Sequence, residues 1–361
     1  MAETFSVSEL VIPGTYIRVR AEALISVGGI STGNIGIVGT ASAGVGDETH
    51  ILSDYDNARA RLNAYDAYNN GGGTLNLTRG IELLYLNGAR TVYARALNSG
   101  DNPGQDDYIS AFNELAKDDV NILVAPELAT TDALAVFGSV LETAENNGKD
   151  MVAVVGSDAI TVATITTQVT TNDRIIMTTP GIQAYDSADN KKVSLSGRYS
   201  AAAVAGLLST LVPQWSPTNK VLPGVTNLSQ RFSYGEMKQL VNSRLLVLEK
   251  RQGVRVVRGL TTDNGAFAQI TTRRITDFTK AGIRKASDPF IGRLNNQRVR
   301  KALQGAIDGF LTTMVQDEAL IGYSLEVTAT RDDEIAGRAI VNAIVQPTFS
   351  IDFVAVTLVL Q

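Results

Sequence analysis

The sequence contains no cysteine and a single histidine. Without thiols there is no disulfide, no thiolate nucleophile and no cysteine-ligated zinc. One imidazole does not make a histidine-rich metal site. His50, in the loop GDETH after Gly44 and Gly46, reads as a surface loop residue. A phosphate-cradling G-x-x-x-x-G-K-[ST] loop is missing. Gly36, Gly39, Gly44 and Gly46 lie in or just after a strand-like run. They do not form a G-x-G-x-x-G leading into a helix, so they read as close packing and a turn. Asp332, Asp333 and Glu334 read as a solvated turn, and Asp186 and Asp189 lack the spacing and glycine of a calcium loop. No catalytic residue, metal ligand or cofactor site is expected. No apolar run approaches the roughly 20 residues of a membrane span. The opening MAETFSVSEL carries acids where a secretory leader would carry Lys or Arg.

What is present is an uneven charge distribution within a chain of 361 residues and formal net charge −5. Residues 231–301 hold 16 Lys+Arg against 5 Asp+Glu, whereas residues 1–230 hold 14 against 24 and residues 302–361 hold 2 against 8. Such segregation points either to a charged partner for the basic block or to cations scattered over several solvated elements. Arg293, Arg298, Arg300 and Lys301 fall at the start of a predicted helix over 293–316. Cations there oppose the helix dipole, and an external anionic partner is one reason to carry that cost. A nucleic-acid-binding protein using 231–301 is therefore an alternative, although no recognisable binding motif is found and few aromatics interleave with the basic residues. An α/β hydrolase or nucleotide enzyme has less support.

Short, wholly apolar strand-like runs at 35–40, 91–97, 120–127, 151–156, 174–180, 245–250 and 254–260 alternate with helix-like segments near 55–64, 78–87, 107–117, 131–146 and 199–210. That alternation predicts a largely parallel sheet covered on both faces. YDSADNKKVSLSG (185–197) reads as a polar hairpin or loop. After residue 262 the pattern changes to helices near 271–285 and 293–316, then strands at 323–330 and 338–346 joined by the polar turn RDDEIAG. The second helix carries Val299, Leu303, Ala306, Phe310 and Met314 on one stripe, widened by Ile307 and Leu311. The chain closes on QPTFSIDFVAVTLVLQ (346–361): Phe349, Ile351 and Phe353 alternate with polar residues, and beyond them nearly every position is apolar. A bare apolar strand is an aggregation hazard, so this tail needs a partner, in its own domain or in another subunit.

Eight segments in order resemble the contractile tail sheath proteins of phages, tailocins and related injection systems. VIPGTYIRV (11–19) is similar to the family's opening segment, TGNIGIVGTASAG (32–44) to its first core strand, and IELLYLNGARTVYARAL (81–97) to its Asn-Gly turn and following strand. SGRYSAAAVAGLLS (196–209) and SPTNKVLPGVTNL (216–228) resemble mid-domain motifs. RQGVRVVRGLTT (251–262), DPFIGRLNN (288–296) and the closing GRAIVNAIVQPTFSIDFVAVTLVLQ (337–361) complete the series. Tyr85 and Ala89 depart from the Phe and Gly common in the family.

The resemblance implies α/β plus α+β architecture. It has an N-terminal arm (1–22), an outer α/β domain, subtilisin-like but non-catalytic (23–262), a smaller inner α+β domain (263–345) and a C-terminal arm strand (346–361). It also implies that Tyr16, Ile17 and Val19 of one arm, and Phe349, Ile351, Phe353, Val354, Val356, Leu358 and Leu360 of the other, exchange strands between subunits. Arg293, Arg298, Arg300 and Lys301 would face an inner tube. The implied partners are copies of the chain in stacked, hexameric rings, an inner tail tube protein, and baseplate and tail-terminator proteins. No direct contact with nucleic acid or membrane is implied. The protein would reside in a virion tail or injection particle assembled in the bacterial cytoplasm.

Overall fold

A computed structural model describes residues 29–46, 48–68 and 73–359. In chain order its first elements are β1 (Ile35–Ala41), β2 (His50–Leu52), α1 (Tyr55–Leu62), α2 (Leu77–Leu86), β3 (Val92–Asn98), α3 (Gln105–Leu115), β4 (Ile122–Val124), α4 (Thr130–Asn146), β5 (Val152–Gly156), α5 (Val162–Thr167) and β6 (Ile175–Thr179). There follow β7 (Ile182–Asp186), β8 (Lys191–Leu195), α6 (Gly197–Thr210), β9 (Asn227–Leu228), α7 (Tyr234–Asn242), β10 (Leu246–Lys250) and β11 (Val254–Val256). The last are α8 (Ile270–Ser287), α9 (Gln297–Gln316), β12 (Leu320–Thr328), α10 (Arg331–Ile335) and β13 (Ile340–Pro347). Tyr16, Ile17, Val19 and Leu360 lie outside the described residues.

The fold is mixed α/β. Its main sheet has the order β11-β10-β6-β5-β4-β1-β3-β2, parallel from β10 to β3 with antiparallel strands at both edges. The apolar runs are explained by cover on both faces. Ile35 and Ile37 of β1 and Val152 and Val154 of β5 enter the core with α2 and α6. Val38 of β1 and Ala153 and Val155 of β5 point the other way, into the core with Phe112 of α3 and Phe137 of α4. Period-two alternation therefore persists, but both sets are buried, so no polar face marks it. The polar excursion at 185–197 contains the turn and second strand of the β7–β8 hairpin.

His50 departs from the sequence reading. It opens β2, is only 6% exposed, and its Nε2 lies 2.8 Å from the Gly44 carbonyl oxygen. The turn at Gly44, where φ is +67°, brings that carbonyl back to the ring.

A further core joins α8, α9 and the β12–β13 hairpin, with Ile307, Phe310, Leu311 and Met314 of α9 buried in it. A Cβ on Gly282 of α8 would overlap the Phe310 ring, so the bare glycine is what lets these helices approach. The hairpin presents one face to α9 through Leu325, Val327, Val341 and Val345. Its strands alternate between half-buried and exposed positions, and Ile344 is exposed on the other face. Among the described residues β12 and β13 pair only with each other. The expected turn at 331–337 contains the short helix α10, whose N-terminus is closed by a reciprocal cap between Thr330 and Asp333.

Candidate functional site

The carboxyl edge of the parallel strands is where α/β enzymes place their chemistry. Here that edge carries a hydrogen-bonded polar network around Glu127 and Asp158, although the buried Thr178 and Thr179 hydroxyls at the end of β6 have no partner among the described residues. Half-buried Glu127 accepts hydrogen bonds from the Thr40 backbone N–H (3.1 Å), the Thr40 hydroxyl (2.8 Å) and the Tyr108 hydroxyl. Burial raises its pKa against the pull of those Thr40 donors. Nearby, Asp158 accepts from Thr130 N–H (3.2 Å) and from the Gln168 side-chain amide (2.9 Å), and the Ser157 hydroxyl donates to the Gln168 side chain (2.6 Å). Gly29-Ile30-Ser31-Thr32-Gly33 fits the letters G-x-S-x-G. It precedes β1 rather than turning from strand into helix, and the Ser31 hydroxyl donates to Asn121 Oδ1 (3.0 Å). It lacks the strand-to-helix elbow that exposes a nucleophile. Among the described residues no cluster of three or more His, Cys, Asp or Glu could hold a metal ion, and no helix is long and apolar enough to cross a membrane.

The basic block is resolved differently from its appearance in sequence. Among the described residues, cations of the block pair with acids: Arg251 with Glu249, Arg258 with Asp352, Arg273 with Asp173 and Asp277, Lys280 and Arg284 with Asp150, and Arg300 with Glu334. Four residues of α8, at 273, 277, 280 and 284, recur at helical spacing and form one charged stripe against the main sheet's side of the molecule. The hub of that contact is Arg174, which the sequence reading did not single out. Its guanidinium is 3% exposed and reaches Glu145 (2.7 Å), Asp150 (2.9 Å) and Asp277 (3.1 Å). Arg174 holds Glu145 down to about 2. Burial opposes ionisation of Asp150, but hydrogen bonds from Lys280 and Arg284 prevail and leave its pKa lowered. Burial wins at Asp277, whose pKa is raised. Arg274, on the same helix, donates to the Thr32 (3.0 Å) and Leu211 (2.8 Å) carbonyls, and burial brings its pKa down to about 10. Acids brought from 145–173 onto α8 consume much of the charge segregation.

Of the four cations expected on the α9 N-terminus, the structure separates three settings. The helix begins at Gln297, capped by Asn296, whose Oδ1 accepts from Val299 N–H (3.0 Å). Arg293 is therefore not in the first turn; it lies in the preceding loop with its guanidinium 5.2 Å from the Phe290 ring centre. The Asn-Asn pair at 295–296 offers a cap that ends the helix before residue 293. Arg300 turns inward to Glu334 and Asn295 Oδ1, both at 2.9 Å. Arg298 and Lys301 are exposed.

Beyond β13, residues 348–359 form no strand in the single chain. Thr348 N–H donates to the Ala319 carbonyl (3.0 Å), and Ser350 N–H to Gln269 Oε1 (3.1 Å). Asp352, 5% exposed in its side chain, accepts from Arg258 (2.7 Å), Thr218 (3.2 Å) and Gln269 (3.2 Å). The Arg258 guanidinium also sits 5.1 Å from the Phe353 ring centre. Beyond this anchor Val354, Val356, Leu358 and Val359 are 76–81% exposed, and Phe349, Ile351 and Phe353 are also exposed. Exposed apolar ribbons of this kind are uncommon on monomeric proteins. The β12–β13 hairpin, which leads into the tail, has its outer edges unpaired among the described residues.

Comparison with known proteins gives a consistent pattern. A family model described as the phage tail sheath protein central domain matches residues 101–262, and one described as the phage tail sheath C-terminal domain matches residues 262–361. The "Tail sheath protein" of Mycobacterium phage Bxz1 is 27% identical over 192 residues, which is 50% of this chain and 33% of that protein. The aligned segment is thus about a third of that relative's length. Among solved structures, the contracted helical sheath of the anti-feeding prophage superposes with a TM-score of 0.73 at 20% identity, covering 99% of each chain. The contracted sheath complex of the extracellular contractile injection system PVC superposes with a TM-score of 0.75 at 16% identity, covering 96% of this chain and 97% of that one.

Proposed function

The chain belongs to the phage tail sheath family, a structural and non-enzymatic subunit of contractile tails and injection particles, and on that premise we propose how it works. Copies polymerise helically, in stacked hexameric rings, around an inner tube. Each copy's exposed tail adds as a strand to the open edge of a neighbour's β12–β13 hairpin, and the N-terminal arm at 1–22 makes the reciprocal link. The observation that carries this reading is a pair of incomplete features: an anchored, exposed apolar tail and a two-stranded sheet whose outer edges are unpaired among the described residues. A two-stranded hairpin alone is marginal in water, and added strands supply main-chain hydrogen bonds that need no particular side chain. The Asp352 anchor fixes where the tail leaves its own chain, so a pull on the tail reaches Arg258 and Gln269 at the base of the main sheet and α8.

Work in such an assembly comes from the free-energy difference between two packings of the same subunits: an extended, metastable sheath repacks and drives the tube through a target envelope. Arg298 and Lys301 contact the tube in the extended state. Exposed ion pairs worth about 0.2–1 kcal/mol each release readily yet add up around a ring. Baseplate and terminator proteins cap the ends, and assembly takes place in the bacterial cytoplasm. Because the sequence has no cysteine, introduced thiols report contacts cleanly. A Val356→Cys substitution combined with single cysteines scanned along 340–346 should give interchain ladders in assembled sheath on oxidation. Disulfides that close only within one chain would overturn the strand-exchange reading.

A further inference from the structure

Where the tail leaves the chain, exposed apolar side chains gather on three segments. Trp215, the one tryptophan of the sequence, lies in the loop after α6 and is 58% exposed. Val212 in the same loop, Ile321 of β12, and Phe349 and Ile351 of the tail are exposed as well. Single exposed aliphatics are ordinary, whereas tryptophan is a side chain that folding normally buries. Hydrogen bonds tie the three segments together. Gln214 Nε2 donates to the Asp317 carbonyl just before β12 (3.1 Å), and Thr348 N–H donates to the Ala319 carbonyl (3.0 Å). The Thr218 hydroxyl donates to Asp352 (3.2 Å) and accepts from Gly259 N–H (3.0 Å). Trp215 N–H donates to the Val212 carbonyl (3.0 Å), so the ring stands on a braced turn and belongs to none of the apolar cores.

Reach decides what can cover this loop. Asp352 fixes the tail, and the exposed run starts at Val354, two residues on. A strand advances about 3.4 Å per residue, so an edge that pairs with 354–359 begins within about 7 Å of the Asp352 backbone. Trp215 is three residues from Thr218, which holds Asp352, so those two Cα atoms are no more than about 11 Å apart. Both distances are small beside a folded chain of this length, about 50 Å across, so the copy that takes the tail has its own surface beside this loop. Charges of both signs border the loop: Lys220, with Nζ 5.9 Å from the Trp215 ring centre, and the exposed Asp317 and Glu318. Charge therefore does not select the occupant, and reach does. Tryptophan is among the side chains most enriched at interface centres, where it supplies a large apolar area.

We propose that Trp215 anchors the contact between a subunit and the neighbouring copy that receives its tail. This rests on the strand-exchange reading above, to which it adds a side-chain anchor at the point of exit. The single tryptophan is its own probe. Emission and acrylamide quenching are measured for the full chain dispersed by dilution and for tubes assembled from purified protein, where a second copy is the only other molecule present. The quenching constant should fall about threefold or more on assembly, with emission shifted to shorter wavelength, as an exposed ring becomes buried. Trp215→Ala should raise the concentration needed for assembly about tenfold or more, and Trp215→Phe by less, with the circular dichroism of both like the parent's. If Trp215→Ala fails to fold, the parent's quenching alone decides. Equal quenching in tubes and dispersed chain overturns the anchor; interchain Val356→Cys ladders in those tubes leave strand exchange standing, and their absence removes it too. A shielded ring in tubes without ladders means that the covering copy is not the one that takes the tail, and overturns the proposal. So does a ring already shielded in the dispersed chain, or a folded Trp215→Ala chain that assembles like the parent.

Discussion

Replacing Arg174 by methionine tests whether the ionic hub between the main sheet and α8 holds the subunit together. The guanidinium is 3% exposed and reaches three carboxylates between 2.7 and 3.1 Å, and it also donates to the Met151 carbonyl (3.2 Å). Methionine keeps much of the volume and none of the charge. Asp150 keeps Lys280 and Arg284, and Asp277 keeps Arg273 at 2.5 Å. Asp277 nevertheless loses one of its two cations while remaining mostly buried. Breaking a buried pair by removing one partner costs about 3–5 kcal/mol, and the surviving cations place this case near the lower end, about 3 kcal/mol. Against a typical total of about 5–15 kcal/mol that is a large loss. Urea unfolding of tail-truncated, non-polymerising protein should show the midpoint fall without a change in slope. Arg174→Met combined with Asp277→Asn should recover part of the loss, because the stranded charge is gone. A midpoint for Arg174→Met within about 0.5 kcal/mol of the parent, the range of ordinary surface changes, would refute the reasoning.

The remaining expectations are smaller. Asp352→Ala removes a nearly buried acceptor of four side-chain donors, Arg258, Thr218, Gln269 and Ser350; backbone exchange at 350–353 should quicken at least about tenfold while global stability barely moves, at about 1.5–3 kcal/mol per charged hydrogen bond lost locally. Unchanged exchange there would show that the tail is anchored by other contacts. Glu145, held down to about 2 from its ordinary 4.5, adds stability that is fully present above 4.5 and lost as pH falls toward 2. Its side chain is about half exposed, so the contribution is discounted to about 1 kcal/mol; Glu145→Gln should flatten the loss of stability across that window, and an equally steep loss would count against it. Asp277, its pKa raised by burial, acts in the opposite direction and favours the fold as it protonates. Gly282→Ala should destabilise by about 1–3 kcal/mol through the Phe310 ring, despite the better helix propensity of alanine. A rise in melting temperature would mean that α8 and α9 shift apart at little cost.

Sequence legibility followed the range of the forces involved. β1 and β5 were readable because strands buried on both faces are apolar at every position. The stripe of α9 was readable because Leu303, Ala306, Ile307, Phe310, Leu311 and Met314 recur at helical spacing and are all buried. The start of α9 was misplaced because the competing cap at Asn296 is a matter of one side-chain hydrogen bond. The basic block looked like a binding surface because its neutralising acids lie about a hundred residues away in sequence, as Asp173 does from Arg273. His50 looked exposed because its loop is polar, whereas the return at Gly44 that buries the ring is a tertiary feature. The tail read as a strand from its residues, but a strand needs a paired edge, and among the described residues 348–359 pair with none.

Strand exchange by the tail is tested most directly by deleting residues 348–361, just beyond the last residue of β13, and viewing the purified protein by negative-stain electron microscopy beside the full chain. The account predicts tubes from the full chain and only dispersed, folded particles from the truncation, with the circular dichroism of the two nearly identical. Normal sheath tubes from the truncated protein would contradict it.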